Sequence, residues 1–353
     1  MYYLKSLYIF FIVLALNIFF FSTSNIEAKA FLVDEIEISE KLENNFNKDK
    51  LINKGFKKAF NKLMISLIKS TDLKKTNNVT LKEIKSMIET FSIKEEKFVN
   101  KSYYLNLGVS FNKKNIFDYL ERKNIFPTQI IKEKFLFIPI IIDQKDDNLL
   151  IFSNNPIYEN WNKKKDKNFL IEYLLPTEDL EDFNFIKQQY SNLENYDFHE
   201  IIEKYFLDKS IITLIFRSND KIKVLSKINI GDKKIIKNDS FEKFDFNDKD
   251  QIQSLINELK TIYEDFWKEN NLINTSIKLP LIIQVKNADL NLSSKFEESL
   301  NNIDLISSYF ISKFNKDFIF YEVIFNGTPK NFINIMKDLN YNFDTQKKTW
   351  ILK

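Results

Sequence analysis

The stretch Leu174–Ile186, LLPTEDLEDFNFI, carries four carboxylates within five residues: Glu178, Asp179, Glu181 and Asp182. Acids crowded in this way serve as a general acid–base pair, a cation cradle, or the negative first turn of a helix. A glycosidase-type pair must face each other across a substrate, roughly 5 to 10 Å apart, and neighbours on one turn do not. Pro176 and Thr177 stand immediately before the acids, so the spacing predicts a helix over 176–190 capped at Thr177. Glu178/Glu181 and Asp179/Asp182 would then be i, i+3 neighbours near the positive end of the helix dipole.

His199 is the single histidine and alone could supply the imidazole of a Ser-His-Asp arrangement. No Gly-x-Ser-x-Gly elbow accompanies it, because the four glycines, at 55, 108, 231 and 327, lie far apart. The same dispersal excludes a P-loop and a dinucleotide fingerprint. Its context, DFHEII, reads as an ordinary capping or surface histidine at a helix start. Asp245–Asp250, DFNDKD, looks like a calcium loop, but Asp250 and Ile256 occupy the sixth and twelfth positions, where glycine and a carboxylate are needed. It reads as a polar helix start. There is no cysteine, hence no thiolate nucleophile, disulfide or lipid-modified cysteine. Neither a cofactor site nor a metal site is expected. The catalytic candidates are Asp179, Asp182 and His199, provided that folding brings them together.

Lys plus Arg is 52 and Asp plus Glu is 49, giving +3 with the signs interspersed. Nucleic acid demands a clustered basic face, so nucleic-acid binding is not expected, and Lys163-Lys164-Lys165 reads as a solvated segment. The abundance of Phe, Lys, Asn and Ile beside four glycines points to AT-rich coding, which discounts the aromatic content.

The N-terminus reads as an address. Lys5 precedes an apolar run over 7–21, and a polar stretch ends Ala28-Lys29-Ala30, a small-x-small cleavage pattern. We expect export to the periplasm with cleavage after Ala30 and no membrane span thereafter; the alternative is an uncleaved inner-membrane anchor.

Periodicity predicts an α/β (α+β) chain in three units after the signal at 1–30. Residues 31–126 read β-α-α-β-β-α, with a helical stripe of Ile52, Phe56, Ala59, Phe60, Leu63, Met64, Leu67 and Ile68, and a capping box at Thr80 and Glu83. Residues 127–275 read as an α/β layer domain built on FLFIPIII (135–142), with a long helix capped by Asp248. Residues 276–353 read β-α-β-β-α-β, a ferredoxin-like order closing in one strand or a hairpin.

With these segments placed, Phe31-Leu32-Val33, Ala59-Phe60-x-x-Leu63, Val99-x-x-x-Tyr103 leading to Val109-Ser110-Phe111-Asn112, Leu175-Pro176-x-x-Asp179-Leu180-x-Asp182, and Lys204-Tyr205 stand out. In these motifs the chain resembles an exported bacterial family known as domain of unknown function 2066. The resemblance implies an envelope location and transfers no catalytic residue. The expected function is non-catalytic binding of an envelope protein. Rival readings are a carboxylate-dependent hydrolase with a dispersed site and a glycan or small-ligand binder using Trp161 or Trp350.

Overall fold

The computed structural model describes residues 30–44, 46–144, 146, 148–163, 169–218, 221–287 and 290–353. The expected export segment therefore lies outside the described residues, apart from Ala30, which begins strand β1. Lys164 and Lys165 also lie outside. Helices and strands mix throughout in three sheets, which is the α/β class expected. No helix among the described residues is long and apolar enough to cross a membrane.

By compactness the chain divides into two units that interleave in sequence. One takes Met1–Ile52, Lys82–Tyr119 and Asn274–Lys353; the other takes Asn53–Leu81 and Leu120–Ile273.

The first unit holds two sheets. Strands β1 (Ala30–Lys41), β2 (Ile88–Val99) and β3 (Ser102–Asn112) pair antiparallel in the order β1-β3-β2. The β2–β3 hairpin turns on Asn100 and Lys101, both with positive φ (51° and 60°), the backbone of a two-residue turn that matches strand twist. Strand β2 starts at Ile88, directly from a helix end. Over Gly108 of β3, Lys94 Nζ and Asp34 Oδ1 meet at 2.7 Å, bridging the two outer strands. A Cβ on Gly108 would stand 2.7 Å from that Asp34 oxygen, so only glycine leaves the ion pair its place. The second sheet contains β10 (Leu279–Lys286), β11 (Ile306–Phe314), β12 (Phe318–Phe325), β13 (Phe343–Asp344) and β14 (Thr349–Leu352), in the order β11-β12-β10-β14-β13. The chain closes in a hairpin whose β13 takes the edge, and β14 inserts parallel to β10.

Helix α1 (Lys48–Leu67) spans the boundary between units, buries Phe56, Ala59, Phe60, Leu63, Met64 and Leu67, and starts under Asn47, whose Oδ1 accepts from Lys50 N at 2.9 Å. Helix α2 (Ser70–Thr76) has no counterpart in the sequence reading. Its N-terminus is held from far away: Asp265 accepts from Ser70 N at 2.7 Å and from Ser70 Oγ at 2.5 Å. Helix α3 (Leu81–Met87) follows Thr80, and α4 (Lys113–Arg122) follows β3.

The second unit is built on a mixed sheet, β5-β4-β7-β8-β9, with β6 also paired to β4. Its strands are β4 (Glu133–Asp143), β5 (Asn148–Leu150), β6 (Ile171–Leu174), β7 (Lys209–Ser218), β8 (Lys221–Ile230) and β9 (Lys233–Glu242). Strand β4 is parallel to β6 and β7. Its side chains alternate between two cores, as a strand buried on both faces requires. Phe135, Phe137 and Ile141 join the core of α5 (Pro156–Trp161) and α8 (Lys249–Asn270). Leu136, Ile138, Ile140 and Ile142 face the core of α6 (Leu180–Gln188) and α7 (His199–Glu203). Asp248 caps α8 by accepting from Asp250 N and Gln251 N, so DFNDKD is a helix start. Beneath α8, Thr213 and Ser226 sit opposite each other on β7 and β8, and their hydroxyls bond Tyr263 Oη at 2.7 and 2.8 Å. In the first unit, α9 (Leu290–Asn302) and α10 (Pro329–Asp338) flank β11 and β12 in sequence; Thr328 caps α10.

Candidate functional site

The carboxylate cluster is positioned by a notch in the central sheet. Strand β6 pairs with β4 as far as Leu136, and β5 takes up the same edge from Ile141, leaving 137–140 unpaired on that side. Buried Asn155 fills the notch: its Nδ2 donates to Pro139 O (2.9 Å) and Leu150 O (3.1 Å), while its Oδ1 accepts from Ile157 N and Tyr158 N to cap α5. A residue's N and C=O point to the same side of a strand. Pro139 therefore turns its nitrogen into the notch, where no ladder bond is forfeited, and a central strand tolerates proline.

The notch brings the segments after β5 and β6 together. Ser153 N donates to Glu178 Oε1 (3.0 Å), and Tyr158 Oη donates to Pro176 O (2.7 Å). Burial, with Glu178 nearby, pushes the Tyr158 phenol above its ordinary range.

The expected cap at Thr177 is corrected to Asp179. Thr177 N donates instead to Tyr205 Oη at 2.9 Å, and Asp179 Oδ1 accepts from Glu181 N at 2.8 Å, so α6 begins at Leu180. Glu181 and Asp182, rather than Glu178 and Asp179, form the first turn. Lys204, just past the end of α7, draws the acids together: its Nζ lies 2.6 Å from Asp182 Oδ1, 3.4 Å from Glu181 Oε2 and 3.6 Å from Asp179 Oδ2. The hydrogen bond to Asp182 raises the Lys204 ammonium above its ordinary range, with burial opposing. An ammonium so held is neither a base nor a nucleophile at neutral pH. Three acids share this one cation, and Glu178 adds a fourth negative charge, so the patch is net negative. Asp182 is 1% exposed, and its Oδ2 has no hydrogen-bond partner among the described residues.

Asp179 and Asp182 thus come together, but on Lys204 rather than across a cleft. His199 is not part of the cluster. Its exposed ring places Nε2 3.2 Å from Glu203 Oε1, and its backbone N donates to Asp197 Oδ1. Sequence reasoning met Lys204 and Tyr205 only through the family likeness; their ionic and hydrogen-bonding roles join segments more than twenty residues apart.

Two apolar side chains border the cluster in solvent. Leu180, next to Asp179, is 81% exposed, and Phe206, next to Tyr205, is 95% exposed. Phe206 and Phe198 bracket α7, each in the left-handed region with φ of 53° and 59°. The Phe198 ring is fully buried and repays that backbone strain with packing, whereas the Phe206 ring contacts water.

Elsewhere the buried charges serve the fold. On one face of α8, Lys260 Nζ donates to Trp161 O (2.6 Å), Glu264 Oε1 accepts from Ile171 N (2.7 Å), and Lys268 Nζ donates to Ile65 O and Ile68 O. Lys260 and Lys268 thereby satisfy carbonyls at the ends of α5 and α1, where cations suit the helix dipole. In the other unit, a pocket of about 170 Å³ is lined by Lys113, Asn301, Ser308 and Tyr309. There Lys113 Nζ donates to Ile303 O at 3.1 Å and faces Asp304 at 3.9 Å. The tryptophans are packing groups: Trp161 is fully buried and stacks on Phe137 at 3.8 Å, and half-buried Trp350 packs on Phe332 and Phe343. No group of three or more His, Asp or Glu among the described residues is placed to hold a metal ion.

No family model matches the chain, and a search of curated proteins finds no match.

Proposed function

We propose that this is an exported, non-catalytic protein of the bacterial cell envelope that binds another envelope protein at the surface around Lys204. The observation that carries this reading is Phe206, a large ring 95% exposed on a left-handed backbone beside the acidic cluster. Exposed Leu180 and the surplus of carboxylates over Lys204 define the complementary chemistry: a segment presenting a basic side chain next to an apolar one. The apolar contacts would supply the affinity, and the acids the orientation and the speed of encounter.

The test places a photo-activatable phenylalanine analogue at position 206 in the intact organism, with position 236 as control, because Ile236 is 67% exposed on strand β9. The expected result is a discrete cross-linked protein from 206 and none from 236, lost when Leu180→Ser or Glu181→Lys is added. Equal or absent cross-linking at both positions overturns the proposal.

A further inference from the structure

Among the described residues, strand β2 ends its sheet and pairs only with β3, and it is exposed at every position after Ile88. Twelve residues without proline, carrying Phe91, Ile93, Phe98 and Val99, make an edge that natural proteins ordinarily blunt or cover. Its sequence holds an internal symmetry. In FSIKEEKF, Phe91–Phe98, phenylalanines stand at both ends and a lysine–glutamate pair at the centre.

Two copies of a strand related by a two-fold axis pair antiparallel, and residues facing each other must lie on the same face of the sheet. A regular strand satisfies this only when facing residue numbers sum to an even value. Here one extra residue, Lys94, is inserted between Ile93, opposite Leu107, and Glu95, opposite Asn106. That bulge reverses the alternation. Phe91, Ile93, Glu96 and Phe98 face the side of Leu105, Leu107 and Val109, while Ser92, Glu95 and Lys97 face the side of Asn106 and Gly108. Lys94 also lies on the Gly108 side, against Asp34. The axis that keeps every facing pair on a common face passes between Lys94 and Glu95. In that register Phe91 meets Phe98 of the second copy, Ser92 meets Lys97, Ile93 meets Glu96 and Lys94 meets Glu95, each twice.

We infer that β2 is a homodimerisation strand, occupied by β2 of a second copy of this chain in that one register. The pairing joins two three-stranded sheets into one of six strands, brings exposed Phe91 and Phe98 together from both sides, and sets opposite charges face to face at the axis. This surface belongs to the other compact unit from the Lys204 cluster, and the inference stands apart from the partner proposed above.

The absence of native cysteine allows a direct test on the full chain. Differently tagged copies carrying Phe91→Cys and Phe98→Cys are mixed and oxidised; the expected product is the 91–98 disulfide, well in excess of 91–91 or 98–98. Charge reversal gives the second arm. Glu95→Lys sets Lys94 against lysine, and Lys94→Glu sets Glu95 against glutamate, so each variant alone should dimerise at least tenfold more weakly by analytical ultracentrifugation. Mixed together the two variants restore complementarity at both central pairs and should form a one-to-one heterodimer more tightly than either variant pairs with itself. A wild-type chain that stays monomeric at ~100 µM, a dimer indifferent to these reversals, or cross-links without the 91–98 preference overturns the inference.

Discussion

Lys204 and Asp182 meet at 2.6 Å from opposite environments: the lysine side chain is 38% exposed, the aspartate side chain 2%. The buried acid depends on a cation that the solvent shares. Removing the cation by Lys204→Met should destabilise the protein by roughly 2 kcal/mol, because a buried carboxylate is left uncompensated. Asp182→Asn should cost less, and the double variant should be more stable than the sum of the single losses. Urea unfolding of the four proteins measures this; strict additivity would show that the two residues are not coupled.

Phe206 should be a residue at which stability and binding pull apart. Asparagine tolerates the left-handed backbone better than phenylalanine, and no packing is lost with a ring that contacts water. Phe206→Asn is expected to raise stability by about 0.5 to 1 kcal/mol while abolishing co-purification of the partner. A lowered melting temperature would contradict the strain assigned to this position.

Glu264 gives a pH signature. Burial raises its carboxyl above the ordinary value of 4.5, with hydrogen bonds from Ile171 and Leu170 and the charge of Lys268 opposing. The folded state therefore binds this proton more tightly than the unfolded state. Its stabilising contribution is fully present below the unfolded value and is lost as pH rises through the raised folded value. Glu264→Gln keeps an acceptor for Ile171 N and removes the titration. The variant should be more stable than wild type at pH 8, with the gap closing toward pH 4, in paired thermal melts across that range.

Asn155 closes the notch in the central sheet with four hydrogen bonds made by a fully buried side chain. Asn155→Ala should cost about 3 kcal/mol, since Pro139 O, Leu150 O and the first turn of α5 lose partners together. Asn155→Asp keeps the cap but not the donor and should fall between. Hydrogen exchange at Ile157 and Tyr158 separates the two effects, because only the alanine variant should expose those amides.

Features set by nearby residues were legible in the sequence. The apolar stripe of α1, the Asp248 cap of α8 and the two-sided burial of β4 each follow from spacing within a few turns. What escaped is made by distant partners. Thr177 has the composition of a cap, yet Tyr205 takes its amide, and the helix starts two residues later on Asp179. Helix α2 is held by Asp265, almost two hundred residues away in sequence. The acids of the candidate site were visible from their types, but their destination was not. Nothing local to Lys204 announces that three carboxylates converge on it, whereas His199 stays with Glu203 one turn along its own helix, an i, i+4 spacing visible in the sequence.

The hydroxyls of Thr213, Ser226 and Tyr263 have a bearing on how the β7–β8 hairpin finds its alignment. Both strands are rich in isoleucine, so a slide of two residues keeps apolar groups on their proper faces and costs little in burial. Such a slide would set Thr213 against Val224 or Ile228 and carry one hydroxyl away from Tyr263. Hydrophobic lettering alone is degenerate; three polar atoms that must coincide make it unambiguous. The tyrosine of α8 thus acts as a proofreader of strand alignment, rejecting misaligned hairpins by leaving its own hydroxyl without a full set of partners in a dry core.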